Sequence, residues 1–246
     1  MNIFRADLHI HTVLSPCGDL DMSPVKIIDK AREKALDIIG ITDHNSTLHC
    51  KLISELGKDA GVYVLMGAEV TTKEEIHCLA FFENNELLKS FQSYIEMHQS
   101  DTPNDVHKFG YQVVVDKDEN ILDEIKPLLI SALDISLNDL KQEVESRCGI
   151  FIPAHIDRPS YSLTSQLGFI PTELIPDAFE ISANCDVQKM IQMLKKHEQV
   201  SIIRSSDAHY LHQIGSASVE LFMEHRSFNE IKAALHNEMG RKVLIG

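Results

Sequence analysis

Apolar positions in this chain fall in short runs, each followed by a polar loop and then by a stretch with helical spacing. The runs predict strands at Ile3–His11, Ile38–Thr42, Tyr63–Val70, His77–Phe82, Ile150–Ile156, Ala178–Ser182, Ser201–Ser205, Ser218–Met223 and Lys242–Ile245. Between them, Ser23 is placed to cap a helix over Pro24–Leu36. Pro24 takes the favoured first position, with Val25, Ile28, Ala31 and Ala35 on one stripe. Ser136–Arg147 carries Leu137, Leu140 and Val144 on one face and Gly149 as a stop. Asp186–His197 and Ser227–Glu238 have the same character. Strands alternating with helices predict an α/β fold, a parallel sheet closed into a barrel. Residues 99–136 break the rhythm. They are polar and contain a hairpin pattern over Tyr111–Leu122 that turns at Asp116–Asn120. They are expected to form an insertion capping one end of a single domain over 1–246. Asp116-Lys117-Asp118-Glu119-Asn120 resembles a calcium loop only briefly. The sixth position is Ile121 rather than Gly and the twelfth is Pro127 rather than Glu, which leaves a charged turn.

The chemistry sits where the strands end. His9 and His11, in Asp7-Leu8-His9-Ile10-His11, point to one face because successive strand side chains alternate. Two adjacent imidazoles are costly to bury unless something binds them, and a divalent metal is the usual answer. His44, Glu69, His155, Asp207 and His209 follow at the ends of later apolar runs, where a βα barrel carries its active groups. His77 begins its run instead, which a strand running antiparallel after Glu69 would accommodate. Imidazole plus carboxylate, with no thiolate cluster, suits Zn²⁺, Mn²⁺ or Fe²⁺. The candidates exceed what one tetrahedral ion uses, so two or three ions bridged by Glu69 are expected. With Glu69, Asp207 and Asp19 supplying negative charge, three divalent ions would leave a site about three units positive, suited to phosphate.

Composition narrows the class. The chain has 246 residues, 43% hydrophobic and 24% charged, enough for a sizeable core. A net charge of −14 argues against an extended nucleic-acid surface, which needs Lys and Arg. Five cysteines (17, 50, 78, 148, 185) lack CxxC spacing and exclude a disulfide framework. The first residues show no signal-peptide pattern and no apolar run suggests a membrane span, so a cytoplasmic location is expected.

Asp7-Leu8-His9-Ile10-His11-Thr12, Ile41-Thr42-Asp43-His44, Gly67-Ala68-Glu69-Val70, Pro153-Ala154-His155 and Ser206-Asp207-Ala208-His209 together resemble the PHP (polymerase and histidinol phosphatase) family, in its order and over nearly the whole chain. The resemblance implies a distorted seven-stranded (β/α) TIM-like barrel with a trinuclear metal centre that hydrolyses phosphate esters. By that resemblance His9, His11, Glu69 and Asp207 would hold one ion and Glu69, His77 and His155 a second. His44, His209 and a residue of the first loop would hold the third. In Leu14-Ser15-Pro16-Cys17-Gly18-Asp19-Leu20-Asp21 the loop ligand is expected to be Asp19, with Cys17, Asp21 or water as alternatives. Asp7 and Asp43 would fix imidazole tautomers from behind.

Glu69, Asp207 and Arg158 are the expected catalytic groups. Arg158 and Arg204 are expected to bind substrate, Arg158 by gripping phosphate bidentately; its plainer alternative is an ion pair with a loop acid. Tyr210 is a weaker candidate. His49, His98, His107, His197, His212, His225 and His236 lie outside the motifs and are expected at the surface. Cys50, Cys78, Cys148 and Cys185 are expected in the core. The expected activity is metal-dependent hydrolysis of a small phosphomonoester, a nucleotide or a short nucleic-acid end. The rivals are a 5′–3′ exonuclease or cyclic-phosphate hydrolase, and a non-catalytic regulatory module. The intact ligand set favours catalysis.

Overall fold

The computed structural model describes residues 1–244. Its strands are β1 (Asn2–Ile10), β2 (Ile38–Ile41), β3 (Tyr63–Thr71), β4 (His77–Phe82), β5 (Val113–Val115), β6 (Ile121–Glu124), β7 (Ile150–Pro153), β8 (Ala178–Ile181), β9 (Ser201–Arg204), β10 (Val219–Met223) and β11 (Lys242–Leu244). Its helices are α1 (Pro24–Glu33), α2 (Cys50–Ala60), α3 (Asn85–His98), α4 (Val106–Phe109), α5 (Leu137–Ser146), α6 (Leu163–Leu167), α7 (Val187–Met193) and α8 (Phe228–Leu235). Ile245, expected to end the last strand, lies outside the described residues. Among the described residues no helix is long and apolar enough to cross a membrane.

The sheet is mixed rather than parallel. Seven strands run in the order β11-β10-β1-β2-β3-β4-β7, with β8 and β9 as a separate parallel pair. β1, β2 and β3 are parallel, but β4 returns antiparallel to β3, pairing His77 with Thr71. Only residues 72–76 connect them, too few for a crossover helix, so a hairpin is the available solution. The distorted barrel is completed by single contacts. Ile156 N–H donates to the Glu180 carbonyl, and Asp177 N–H to that of Phe151, holding β8 beside β7. Ala208, just past β9, bridges to Ile10, so that β9 meets β1 at its carboxyl end. β10 and β11 continue the sheet from the amino-terminal half of β1.

Two apolar layers hold this frame. One joins Ala6, Leu8, Ile38, Leu65, Leu79, Phe81, Ile150, Ile152, Ala178 and Ile203 from the strands to Phe228, Ile231, Ala234 and Leu235 of α8. The other packs the opposite strand faces on α1, α2, α3 and α5 through Ile27, Ile28, Ile53, Phe91, Leu140 and Val144. Each of the larger side chains among them, fully buried, contributes roughly 1.5–3 kcal/mol. β1 and β2 lose register between Asp7 and Ile10, which sets Leu8, His9 and His11 on the barrel's inner side. Gly40 is required there, because a Cβ on it would lie 2.3 Å from the Leu8 carbonyl oxygen.

Helix ends differ from the sequence reading for local reasons. α1 stops at Glu33 because Ala35 adopts a left-handed φ of 50°, so Ala35 leaves the buried stripe, which is Pro24, Ile27, Ile28 and Ala31. α5 is ended by Cys148 at φ 55°, not by Gly149. Gly149 instead permits close packing, since a Cβ would meet the Phe81 carbonyl at 2.8 Å. Cys148 is exposed and Cys185 only partly covered, whereas Cys50 and Cys78 are buried as expected. The segment 99–136 contains α4 and the β5–β6 hairpin. It is tied to loops after β1 and β2: Asn45 donates to the Leu129 and Ser131 carbonyls, and Ser23 to Glu119.

Candidate metal centre

The carboxyl ends of the barrel strands, with the start of β4, bring eight of the nine expected ligands together. His9 is the penultimate residue of β1, His11 and His44 follow β1 and β2, and Glu69 lies in β3. His77 opens β4 opposite Thr71, so the hairpin brings it beside Glu69. His155 and Asp207 are turned inward by left-handed backbone, at φ 29° and 51°. Such strain in non-glycine residues clusters at functional sites. Asp207 and His209 remain partly accessible and the other six are buried.

Glu69 is the hub. Its Oε1 lies 2.9 Å from His77 Nδ1, 3.1 Å from His155 Nε2 and 3.3 Å from His9 Nε2. Its Oε2 lies 3.1 Å from His44 Nδ1 and 3.4 Å from His11 Nε2. Asp207 Oδ1 lies 3.2 Å from His11 Nε2 and 3.3 Å from His9 Nε2. Three overlapping groups could each hold an ion: His9, His11 and Glu69; His44, Glu69 and His77; and His11, His44 and His209.

The hydrogen bonds around the cluster determine which ring nitrogens face inward. His9 Nδ1 lies 2.9 Å from Glu180 Oε2, an acceptor, so Nδ1 carries the proton and Nε2 faces the cluster. Ser15 Oγ donates to Asp43 Oδ1 at 2.7 Å and therefore accepts from His11 Nδ1 at 3.0 Å. The two freed Nε2 atoms face each other at 3.2 Å. His44 Nδ1, His155 Nδ1 and Asp207 Oδ1 are buried without a hydrogen-bond partner. Of these, His44 Nδ1 faces Glu69 and Asp207 Oδ1 faces the His9–His11 pair, and orphaned donors so placed fit a divalent-metal site, whereas His155 turns Nε2 to Glu69 and its orphaned Nδ1 away.

The charges fit as well. Burial favours the neutral form of His11, but the acceptors Asp207 and Glu69, which favour the protonated ring by hydrogen bonding and by their field, outweigh it and raise its pKa to about 9. Burial alone would depress His9, yet Glu180, Asp207 and Glu69 hold it well above the ordinary value. The imidazoles in turn hold Glu69 and Asp207 well below the usual carboxylate range despite their burial. A cation belongs here, whether proton or metal, and metal binding must displace those protons.

The ninth expected ligand, Asp19, sits at the edge of the cluster. Its N–H donates to the His209 carbonyl at 2.9 Å, while its carboxylate accepts Asp21 N–H at 2.8 Å within its own loop. Cys17 of the same loop also feels the cluster. Its thiol is pushed up to about 12, by partial covering and then by the field of Glu69 and Asp207, although the residue remains exposed. Asp21 pairs with Lys26.

Arg158 forms an ion pair with Asp207, Nη1 to Oδ2 at 2.5 Å, with its side chain 40% exposed. Arg204 instead donates to the Cys185 carbonyl and lines a separate cavity of about 260 Å³ with Arg5, Ser216 and Ser218. None of the eight clustered residues lines that cavity. Tyr210 is exposed beside His209.

The supporting shell differs from expectation. Asp7 touches no imidazole. It accepts Ser206 N–H and Gly215 N–H, and burial raises it to about 6. The carboxylate that orients His9 is Glu180, which also accepts His155 N–H at 3.0 Å. The signal for Glu180 was present, an acid within the apolar run Ala178-Phe179-Glu180-Ile181 that is fully buried. Two histidines expected at the surface, His49 and His197, are buried. His49 Nε2 accepts Val115 N–H at 3.0 Å and its Nδ1 lies 2.7 Å from Thr12 Oγ1, which donates to Asp43. His49 thus links the 99–136 segment to the loop behind His11.

Comparison with known proteins identifies the family. The PHP domain model matches residues 7–242. The chain belongs to the PHP domain family. Uncharacterized protein YqxK of Bacillus subtilis is 26% identical over 99% of the chain and 65% of its own length. The lesion-specific endonuclease PfuEndoQ from Pyrococcus furiosus superposes with a TM-score of 0.73 at 18% identity, over 99% of this chain and 58% of that one. An Endonuclease Q complex with a 27-mer duplex carrying an abasic lesion at its active site gives 0.72 at 19% identity, over 98% and 58%. The PHP chain therefore spans less than two thirds of the length of these relatives.

Proposed function

We propose that the chain is a metal-dependent phosphoesterase whose centre is the Glu69 hub, with His9, His11, His44, His77, His155, Asp207 and His209 as ligands. The observation that carries this reading is the face-to-face placement of two imidazole nitrogens 3.2 Å apart. They sit over a shared carboxylate, with an arginine at the mouth. Two or three divalent ions would fit the three donor groups. When bound, such ions acidify water and polarise a phosphoryl group.

The chain's own residues do the rest. Glu180 and Ser15 hold the His9 and His11 tautomers, so that lone pairs face inward without reorganisation. Asp207 lies between His9, His11 and Arg158; with its carboxylate engaged in holding a bound cation, the Arg158 guanidinium would be free for an incoming phosphate. Arg158 then contacts two phosphate oxygens bidentately. The 99–136 segment caps the active-site end through its bonds to Asn45 and His49.

The substrate is a phosphate ester of nucleotide or nucleic-acid type. Support for a DNA ester comes from the Endonuclease Q likeness over nearly the whole chain. The −14 charge argues that this chain alone offers no long backbone-binding surface. The test is phosphate release from a panel of nucleotides, oligonucleotides and simple esters, after loading with Mn²⁺ or Zn²⁺. Stoichiometric metal uptake with no turnover of any ester would reduce the chain to a structural module.

A further inference from the structure

We propose that Tyr161 is the stacking platform of a base-binding subsite beside the metal cluster, taking the planar base of the nucleotide whose phosphate is cleaved. The inference rests on the phosphoesterase reading and deepens it.

Tyr161 is held in an unusual way. It is one of ten non-glycine residues at a positive φ among the described residues, here 54°, which glycine or asparagine would hold at less cost. Its carbonyl accepts His77 N–H at 3.0 Å, so the turn is tied to the hub hairpin. Its ring stacks on His77, with centroids 4.9 Å apart and planes at 20°. The loop is fixed on both sides. Ser162 Oγ donates to the Arg158 carbonyl at 2.7 Å and Thr164 Oγ1 to the Ile156 carbonyl at 2.6 Å. A capping box at Ser162 then starts α6.

A ring serving only to shield His77 would be covered, yet Tyr161 keeps 47% of its surface exposed. A rigid, half-exposed aromatic face at a polar mouth suits another flat π-system. The Cα of Arg158, three residues earlier, lies within about 10 Å of that of Tyr161 by chain length alone. Phosphate on Arg158 and base on Tyr161 would thus be read by one rigid loop.

The test compares wild type with Tyr161→Ala and Tyr161→Phe, on adenosine 5′-monophosphate and on glycerol 2-phosphate, an ester without a base. For Tyr161→Ala, kcat/KM for the nucleotide should fall about five- to a hundredfold more than for glycerol 2-phosphate, the range of one lost stacking contact. Phe should retain the wild-type ratio. Anisotropy of a dye-labelled single-stranded oligodeoxynucleotide, in chelator, should show the same order of affinities without turnover. Tyr161→Asn, suited to the left-handed backbone, serves if the Ala variant is unfolded. Equal losses on both esters, or no loss on either with unchanged oligonucleotide affinity, would overturn the proposal. Failure of wild type to hydrolyse any ester would sink the phosphoesterase reading instead, and the binding comparison would still decide Tyr161.

Discussion

Replacing Glu180 should weaken metal binding although Glu180 need not touch a metal. Its Oε2 accepts two buried donors, His9 Nδ1–H at 2.9 Å and His155 N–H at 3.0 Å. Glu180→Ala removes both acceptors at once. His9 is then free to rotate or change tautomer, and its Nε2 no longer points dependably at Glu69 and Asp207. Removing such a supporting partner typically costs ten- to a hundredfold in metal affinity, or about 1.4–2.7 kcal/mol. The unsatisfied donors add a separate stability loss of about 1–3 kcal/mol each. Glu180→Gln keeps an acceptor oxygen but loses the charge, and should fall near the lower end. The assay is a competition titration of Mn²⁺ or Zn²⁺ against a chromophoric chelator, alongside thermal unfolding of the metal-free proteins. A folded Glu180→Ala variant that binds metal within about twofold of wild type would refute the reasoning, and the Glu180 bonds would be packing only.

Glu69→Gln should empty the centre more completely than any single His substitution, because both its oxygens are shared among five imidazoles; elemental analysis checks this, and loss of one ion with activity kept within about tenfold (roughly 1.4 kcal/mol) would show that Glu69 does not bridge. Arg158→Ala should lower kcat/KM for a phosphate ester about ten- to a hundredfold with metal content retained, as losing a charged hydrogen bond costs about 1.5–3 kcal/mol, and Arg158→Lys should recover only part; unchanged kinetics would leave Arg158 as a partner of Asp207 alone. Asp19→Asn should reduce metal content more than Cys17→Ser, because Asp19 is tied through its N–H to the His209 carbonyl while burial and the nearby acids keep the Cys17 thiol protonated; the opposite order would make Cys17 the loop ligand. His49 is depressed by burial, so the fold holds it neutral. Its stabilising contribution is present above the ordinary pKa near 6.5 and is lost as pH falls below it; melting temperatures should therefore drop more between pH 7.5 and 5 in wild type than in His49→Gln, and identical slopes would exclude His49 as a source.

Much of the centre was legible because strand geometry is local. A period of two fixes His9 and His11 on one face, and active groups at strand ends follow from the barrel. The same locality placed Ser23, Pro24 and Ser136 at helix starts and the apolar face of α5. What failed was information carried by partners distant in sequence. Asp7, next but one to His9 along the chain, supports no imidazole by a hydrogen bond, whereas Asp43 does fix His11, through Ser15. Orientation of His9 falls to Glu180, 171 residues away, and Asp43 acts through Ser15 and Thr12. His49 and His197 read as solvated because nothing nearby in sequence shows what covers them.

The α/β alternation and the donors that cluster could be read from residue type and short-range periodicity, because both are local properties. The mixed sheet, the turning of His155 and Asp207 by left-handed backbone, the pairing of Arg158 with Asp207, and the removal of Arg204 to another cavity needed the folded chain. These depend on strand order, register and loop closure, and such long-range contacts are fixed by the packing of the whole barrel rather than by any window of the chain.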